Sequence, residues 1–385
     1  MPAIHDAARN GDLDQVRSLV EELGVNIVND HSQAHYEMTP LHFASDNGHL
    51  PVVQFLMESG ADVNDRDRWG QTPVHFASGK GHLPIVQHLM EHGADVSAQQ
   101  CGGNTALHTA SGMGHLPVVQ HLMEHGADVH DRNILEMTPL HIASKQGHLS
   151  IVQHLVEHGA DVSAQECDGN TALHLASIEG HLFTVQHLME HGADVRATNA
   201  IRSSTPLHYA SIRGHLSTVQ HLMEHGADIH DRNVLEMTPL HIASKQGHLS
   251  IVQHLVEHGA DVSAQECDGN TALHLASIKG HLSTVQHLVE HGADVHATNA
   301  IQSTPLHIAS KQGHLSVVQH LVEHGADVSA RQNDGNTALH LARFRGHTAV
   351  VNYLKHTAKV RQCHSLILYL AENGFWNNQK TLKRK

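Results

Sequence analysis

Histidine is the residue type whose abundance and spacing could do chemistry: the chain holds 44 in 385 residues. Sixteen of them lie in eight copies of His-Leu-(Met/Val)-Glu-His, opening at His88, His121, His154, His187, His221, His254, His287 and His320. On a helix, residues four apart share one face, so each pair is spaced to hold one metal ion. A catalytic centre, however, is single, and it needs a third ligand and a cleft. This motif is copied eight times without an accompanying ligand, so the pairs read as helix surface, and neither a metal nor a catalytic residue is assigned. Histidine also titrates near pH 6.5. Were the rings buried as neutral caps, stability would fall with pH.

The elements that carry these residues repeat. Thr-(Pro/Ala)-(Leu/Val)-His starts at Thr39, Thr72, Thr105, Thr138, Thr171, Thr205, Thr238, Thr271, Thr304 and Thr337. The starts are 33 residues apart, apart from one interval of 34 between Thr171 and Thr205. A fixed period of this size marks a stacked-repeat architecture. Thr followed by Pro predicts an N-cap and first helical position, and the Gly eight residues after the Pro predicts a helix end. A second helix is expected over residues 149–158, with Val152, Leu155 and Val156 as its apolar stripe. The polar run that follows, with Asp, Ser and Gly, predicts a projecting loop. The motif histidines (His42 to His340) and those after the helix-ending Gly (His49 to His347) fall where imidazole can satisfy orphan backbone groups.

Composition agrees with thin helical layers: 40% hydrophobic, 3% aromatic. The formal charge of −15 is uneven. Residues 343–385 hold nine Lys or Arg and one acid, Glu372, while residues 1–342 carry a balance of −23. So acidic a body argues against nucleic-acid binding through phosphates. No apolar run reaches the roughly 18 residues of a membrane span, and the N-terminus lacks the pattern of a signal peptide. Cys101, Cys167 and Cys267 occupy one place in repeats two or three layers apart, too far for a disulfide. They read as free thiols in a reducing compartment.

Thr-Pro-Leu-His-x-Ala, the Gly-His-Leu turn and the Gly-Ala-Asp-Val close, at a 33-residue period, resemble the ankyrin repeat over residues 3–357. The resemblance implies an all-α ankyrin-repeat solenoid of stacked helix-turn-helix layers with projecting β-hairpin-like loops, or fingers. It implies no catalytic residue and no cofactor, and a function in binding other proteins along the face of fingers and first helices. H-x-x-E-H also spells the motif of inverted zinc peptidases, which the eightfold copying contradicts. The expected organisation is an N-terminal capping repeat and loop over 1–38 and ten repeats over 39–357, the last a C-terminal cap. A degenerate helix over 358–376 and a disordered basic tail over 377–385 follow. The reading is a monomeric cytoplasmic scaffold or adaptor without membrane attachment; the terminal Lys-Arg-Lys is a weak nuclear signal. The alternatives are a metal- or pH-responsive histidine array and the regulatory portion of a larger protein.

The family favours Gly two residues before the Thr, as at Gly70, Gly103, Gly169, Gly269 and Gly335. Glu37, Glu136, Ser203, Glu236 and Gln302 replace it, which predicts that those fingers turn differently. Residues 131–200 and 231–300 differ at five positions only, so a three-layer block was copied. What varies between layers reports on partner binding. On the first helices this selects Lys80, Met113, Lys145, Glu179, Arg213, Lys245, Lys279, Phe344 and Arg345. On the fingers it selects Arg68, Trp69, Cys101, Ile134, Leu135, Val234, Leu235 and Ile301. Trp and Arg are favoured interface anchors. Asn64 resembles a finger asparagine that dioxygenases hydroxylate in some ankyrin proteins.

Overall fold

A computed structural model describes residues 3–33 and 36–372, with side chains up to residue 360. Twenty-two α-helices and one short 3-10 helix occur among them, with no strand beyond an isolated bridge between Ser32 and Met38. The chain forms two compact units, Met1–Ala227 and Asp228–Lys385. The first unit holds an N-terminal pair, Ala3–Asn10 and Leu13–Leu23, and the layers opening at Thr39 through Thr205. The second holds those opening at Thr238, Thr271, Thr304 and Thr337. Within each unit, first helices pack on first helices of adjacent layers and second on second.

The layer opening at Thr138 shows why the sequence folds this way. Thr138 is extended (φ −89°, ψ 167°) and its Oγ1 accepts from the His141 amide, with Pro139 at the first helical position. The helix Pro139–Gln146 ends at Gly147, in the left-handed region at φ 76°. The second helix, Leu149–Glu157, buries Ile151, Val152 and Leu155 completely. It stops one residue before the sequence reading, because His158 takes the C-cap position. The buried apolar face of these residues is the main source of stabilisation, about 1.5–3 kcal/mol per fully buried Leu, Ile or Val.

Each finger is a tight turn rather than a strand ladder. Asp67 N–H donates to Gln71 O at 3.0 Å, and Gly70 N–H to Asp67 O at 2.9 Å. Three of the fingers lacking Gly, at Glu136, Glu236 and Gln302, do not turn differently, contrary to expectation; the turns at Glu37, where Ser32 N–H reaches Met38 O, and at Ser203, where Ser203 N–H reaches Asn199 O, are wider. Glu37, Glu136, Ser203, Glu236 and Gln302 all take positive φ, between 48° and 64°, and Glu136 N–H donates to Asn133 O at 2.8 Å as Gly70 does to Asp67. The fold imposes the turn and the side chain bears the strain. The extra residue before Thr205 is absorbed locally: Asn199 N–H reaches Ser204 O at 3.1 Å, where Asn299 N–H reaches Ser303 O at 3.1 Å.

The last helix, Thr348–Glu372, runs without a break across the boundary that the sequence reading places at residue 357. Residues 373–376 of the expected degenerate helix, and the tail 377–385, lie outside the described residues.

Candidate binding face and histidine clusters

The motif histidines are structural. Nδ1 of His42 accepts from the backbone N–H of Thr39 at 3.1 Å and from its hydroxyl at 2.8 Å. Its proton therefore sits on Nε2, which donates to Gln71 O at 3.0 Å in the next finger. The ring does the work of Glu in a capping box and also ties two layers together. The same arrangement recurs at His75, His108, His141, His174, His241, His274 and His307, each donating to a carbonyl of the following finger. Burial holds His42, His108, His174 and His274 down to about 4, against the raising effect of backbone hydrogen bonds. The histidines after the helix-ending Gly bond backward. His82 Nε2 donates to Asp46 O at 3.2 Å, and His148 Nε2 to Gly112 O at 3.1 Å, both in the preceding layer.

The fingertips are joined by backbone. Arg68 N–H donates to Tyr36 O at 2.8 Å, Cys101 N–H to Trp69 O at 2.7 Å and Cys167 N–H to Leu135 O at 3.0 Å. In the second unit Cys267 N–H donates to Leu235 O at 3.1 Å, and Asn333 N–H to Ile301 O at 3.2 Å. This ladder fixes the tips, yet it leaves their apolar side chains in solvent: Ile134 is 70% exposed, Ile301 57% and Val234 55%. Leu135, Leu235 and Trp69 are exposed as well, as are Arg68 and Cys101. The first-helix residues Lys80, Met113, Lys145, Glu179, Arg213, Lys245, Lys279, Phe344 and Arg345 are all exposed too.

The structure adds residues that sequence variation did not select. Tyr36 lies against Trp69 with ring centroids 4.2 Å apart. Lys80 Nζ is 3.8 Å from a carboxylate oxygen of Asp46. Lys311, which lies beyond the copied block, lines a cleft of about 290 Å³ with His340, Phe344 and Arg345. Phe183, one of the five positions that break the block identity, is exposed on a second helix. Asn64 braces two fingers, its Nδ2 donating to Gly93 O at 3.0 Å and its Oδ1 accepting from Asp95 N–H at 2.7 Å. Cys101, Cys167 and Cys267 are free and exposed. The Glu266 carboxylate raises the thiol pKa of Cys267, and Glu166 that of Cys167, so these are not activated nucleophiles.

The His-x-x-Glu-His pairs are not plain helix surface. The leading ring is half-buried in most copies, and His187, His287 and His320 are buried. Nε2 of His88, His121, His187, His287 and His320 is buried without a hydrogen-bond partner, a state that costs about 1–3 kcal/mol. The trailing ring lies beside the leading one, with centroids 3.9–4.2 Å apart across the eight copies. Nδ1 of the trailing ring donates to the leading residue's carbonyl oxygen, at 2.8 Å in His92 to His88. Glu91 supplies what the sequence reading found lacking: a carboxylate oxygen within 4.8 Å of a nitrogen on each ring. Burial and the neighbouring ring push the leading histidines below the ordinary imidazole value, while carboxylates of the same and the preceding helix oppose the shift.

No helix among the described residues is long and apolar enough to cross a membrane. Comparison with known proteins matches the family model "Ankyrin repeats (3 copies)" at residues 1–67, 65–133, 130–199, 207–299 and 298–362. Among curated relatives, ankyrin repeat domain-containing protein 39 of Homo sapiens is 49% identical over 61 residues, 15% of this chain and 30% of that protein. Alpha-latrotoxin-Lh1a of Latrodectus hasselti is 51% identical over 61 residues, 16% of this chain and 4% of the toxin. Serine/threonine-protein kinase VIK of Arabidopsis thaliana is 44% identical over 62 residues, 16% of this chain and 14% of the kinase. The aligned stretches thus span under a third of each of these relatives, and the likeness is that of the repeat itself. Capped helix pairs, interlocked histidines, laddered fingers and a family match along nearly the whole chain lead to one statement: the chain belongs to the ankyrin-repeat family.

Proposed function

We propose that the chain is a non-catalytic protein-binding scaffold or adaptor whose partner contacts the fingertips and the exposed ends of the first helices. The observation that carries this reading is the set of rigid apolar tips. Ile134, Leu135, Leu235 and Ile301 are held by a backbone ladder, yet they remain exposed, as does Val234 beside Leu235. A fixed tip loses little conformational entropy on binding, and its apolar surface leaves water when a partner covers it. Trp69, packed against Tyr36, and the adjacent Arg68 are its anchors. The exposed first-helix residues Lys80, Met113, Lys145, Glu179, Arg213, Lys245, Lys279, Phe344 and Arg345 add varied charge and bulk, and Cys101 completes the set. The partners are other proteins, and the chain acts as a cytoplasmic monomer. Asn64 is a candidate for hydroxylation, checked by the mass of its native peptide.

Affinity purification of the full chain, followed by mass spectrometry, tests the proposal. Partners recovered by the native chain should be lost with Trp69→Ala together with Leu135→Ser, while circular dichroism stays unchanged. A recovery unaffected by that double change would refute the fingertip assignment. A second reading, a regulatory segment of a larger polypeptide, draws support from a partial match to a far longer protein, alpha-latrotoxin-Lh1a, of which the aligned stretch is 4%. Immunoblotting of native tissue would favour it if the protein ran well above 42.0 kDa.

A further inference from the structure

We infer that the second helices carry a row of zinc-class metal sites, each built from the two rings and the carboxylate of one His-x-x-Glu-His. In five copies, opening at His88, His121, His154, His187 and His221, the three ligand atoms lie within 4.8 Å of one another. Three further clusters of this kind occur among the described residues. Two imidazoles and one carboxylate form a donor set suited to zinc and neighbouring late first-row ions.

Two independent observations point to a ligand. The first is the orphaned ring nitrogen. His187, His287 and His320 are each 8% exposed, and their Nε2 atoms have no hydrogen-bond partner. A cation shared with the adjacent ring would give the leading imidazole the partner it lacks. The second is the fixed tautomer of the trailing ring. Nδ1 of His92 faces a carbonyl oxygen, which can only accept, so Nδ1 bears the proton and Nε2 presents its lone pair. The contact recurs at His125, His158, His191, His225, His258, His291 and His324. A backbone carbonyl holding the far nitrogen of a ligand is the usual outer support of a metal-bound histidine. The clusters are also open to ions: His154 and His158 line a cleft of about 340 Å³ together with Glu124 of the preceding layer.

The other abundant histidines do not compete. His42 and its equivalents engage both ring nitrogens, and His82 and its equivalents donate Nε2 across layers. Zinc binding is therefore assignable to the second helices. This inference is separate from the fingertip reading, since it uses none of those residues.

Calorimetric titration of the untagged full chain with zinc chloride tests it, beside a variant with the eight trailing histidines (His92→Gln and its equivalents) changed. The native chain should bind several zinc ions, up to one per cluster, and melt at higher temperature in excess zinc. The variant should bind at least about tenfold more weakly and show no zinc-dependent melting shift. A native chain without heat, or a variant with the same isotherm, overturns the inference. If that variant loses helix content, Glu91→Gln with its seven equivalents replaces it. Unchanged zinc affinity there overturns the carboxylate's part in the site.

Discussion

Nε2 of His42 donates to the carbonyl oxygen of Gln71 at 3.0 Å, while its Nδ1 accepts from Thr39. The Nε2 bond joins the first helix of one layer to the finger of the next, whereas the Nδ1 contact exists only while the ring is neutral. A proton on Nδ1 would point at two donors.

Stability must therefore depend on pH. In the unfolded chain these histidines titrate near 6.5; in the fold, burial holds His42, His108, His174 and His274 down to about 4. Above pH 6.5 both states are neutral and stability is full. Below it the unfolded chain binds protons that the folded chain refuses, so stability falls continuously towards pH 4. At pH 5 each such ring forfeits up to about 2 kcal/mol. Thermal melts should show Tm lower by several degrees at pH 5.0 than at pH 7.5, and identical melting at the two would contradict the neutral-cap arrangement.

Two glycines of one layer should respond differently to a methyl group. Gly147 (φ 76°) and Gly159 (φ 89°) are both left-handed. A Cβ on Gly159 meets nothing within 4 Å, whereas one on Gly147 would lie 2.5 Å from Nδ1 of His181. That ring cannot move freely, because its Nε2 donates to Lys145 O at 3.1 Å. Gly159→Ala should cost the backbone strain alone, about 1–2 kcal/mol. Gly147→Ala should cost at least about 1 kcal/mol more, from the displaced ring. Urea or thermal unfolding of the two variants decides it; equal losses would mean that the ring yields.

At the fingers the change runs the other way. Glu136 and Glu236 hold φ 56° with a side chain attached. Their ion pairs with Arg132 and Arg232, at 3.3 Å on exposed side chains, are worth little. Glu136→Gly with Glu236→Gly should raise stability by about 1 kcal/mol, since relief of the left-handed strain exceeds the added unfolded-state entropy. A lower Tm for the double variant would show that these side chains contribute more than their contacts indicate.

The layer architecture was legible in the residues because its signals are local. Thr138-Pro139 caps a helix, Gly147 ends one, and the period repeats the unit. The left-handed turn at Glu136 was not legible, since the preference of the residue opposes it and only the surrounding fold enforces it. The partners of the histidines were hidden for another reason. His42 and Gln71 are 29 residues apart, and a bond between layers has no local signature. Variation singled out Ile134 and Leu135, whereas the packing of Tyr36 against Trp69 joins residues of separate fingers and has no local signature. In the second helices, spacing revealed the ring pair of His88 and His92. It did not reveal the buried nitrogen, which depends on packing against adjacent layers.

Asn133 connects finger stability to the proposed binding face. It is 7% exposed. Its Oδ1 accepts from Leu135 N–H at 2.9 Å and Met137 N–H at 3.0 Å, and its Nδ2 donates to Asn104 Oδ1 at 2.8 Å. Other side chains do the same in their own turns. Asp67 accepts from Trp69 and Gln71, and Glu166 from Asp168 and Asn170. Asn133→Leu keeps the volume but strands two amides, at a cost of about 1–3 kcal/mol. The tip should then open locally, and amide exchange at Leu135 and Met137 should accelerate by about tenfold or more, with helix amides in distant layers unaffected. Partner capture should weaken in parallel, although no exposed contact residue has changed. Accelerated exchange without weaker capture would show that this finger stands outside the interface, and unaltered exchange would show that the tip is held by the ladder between fingers alone.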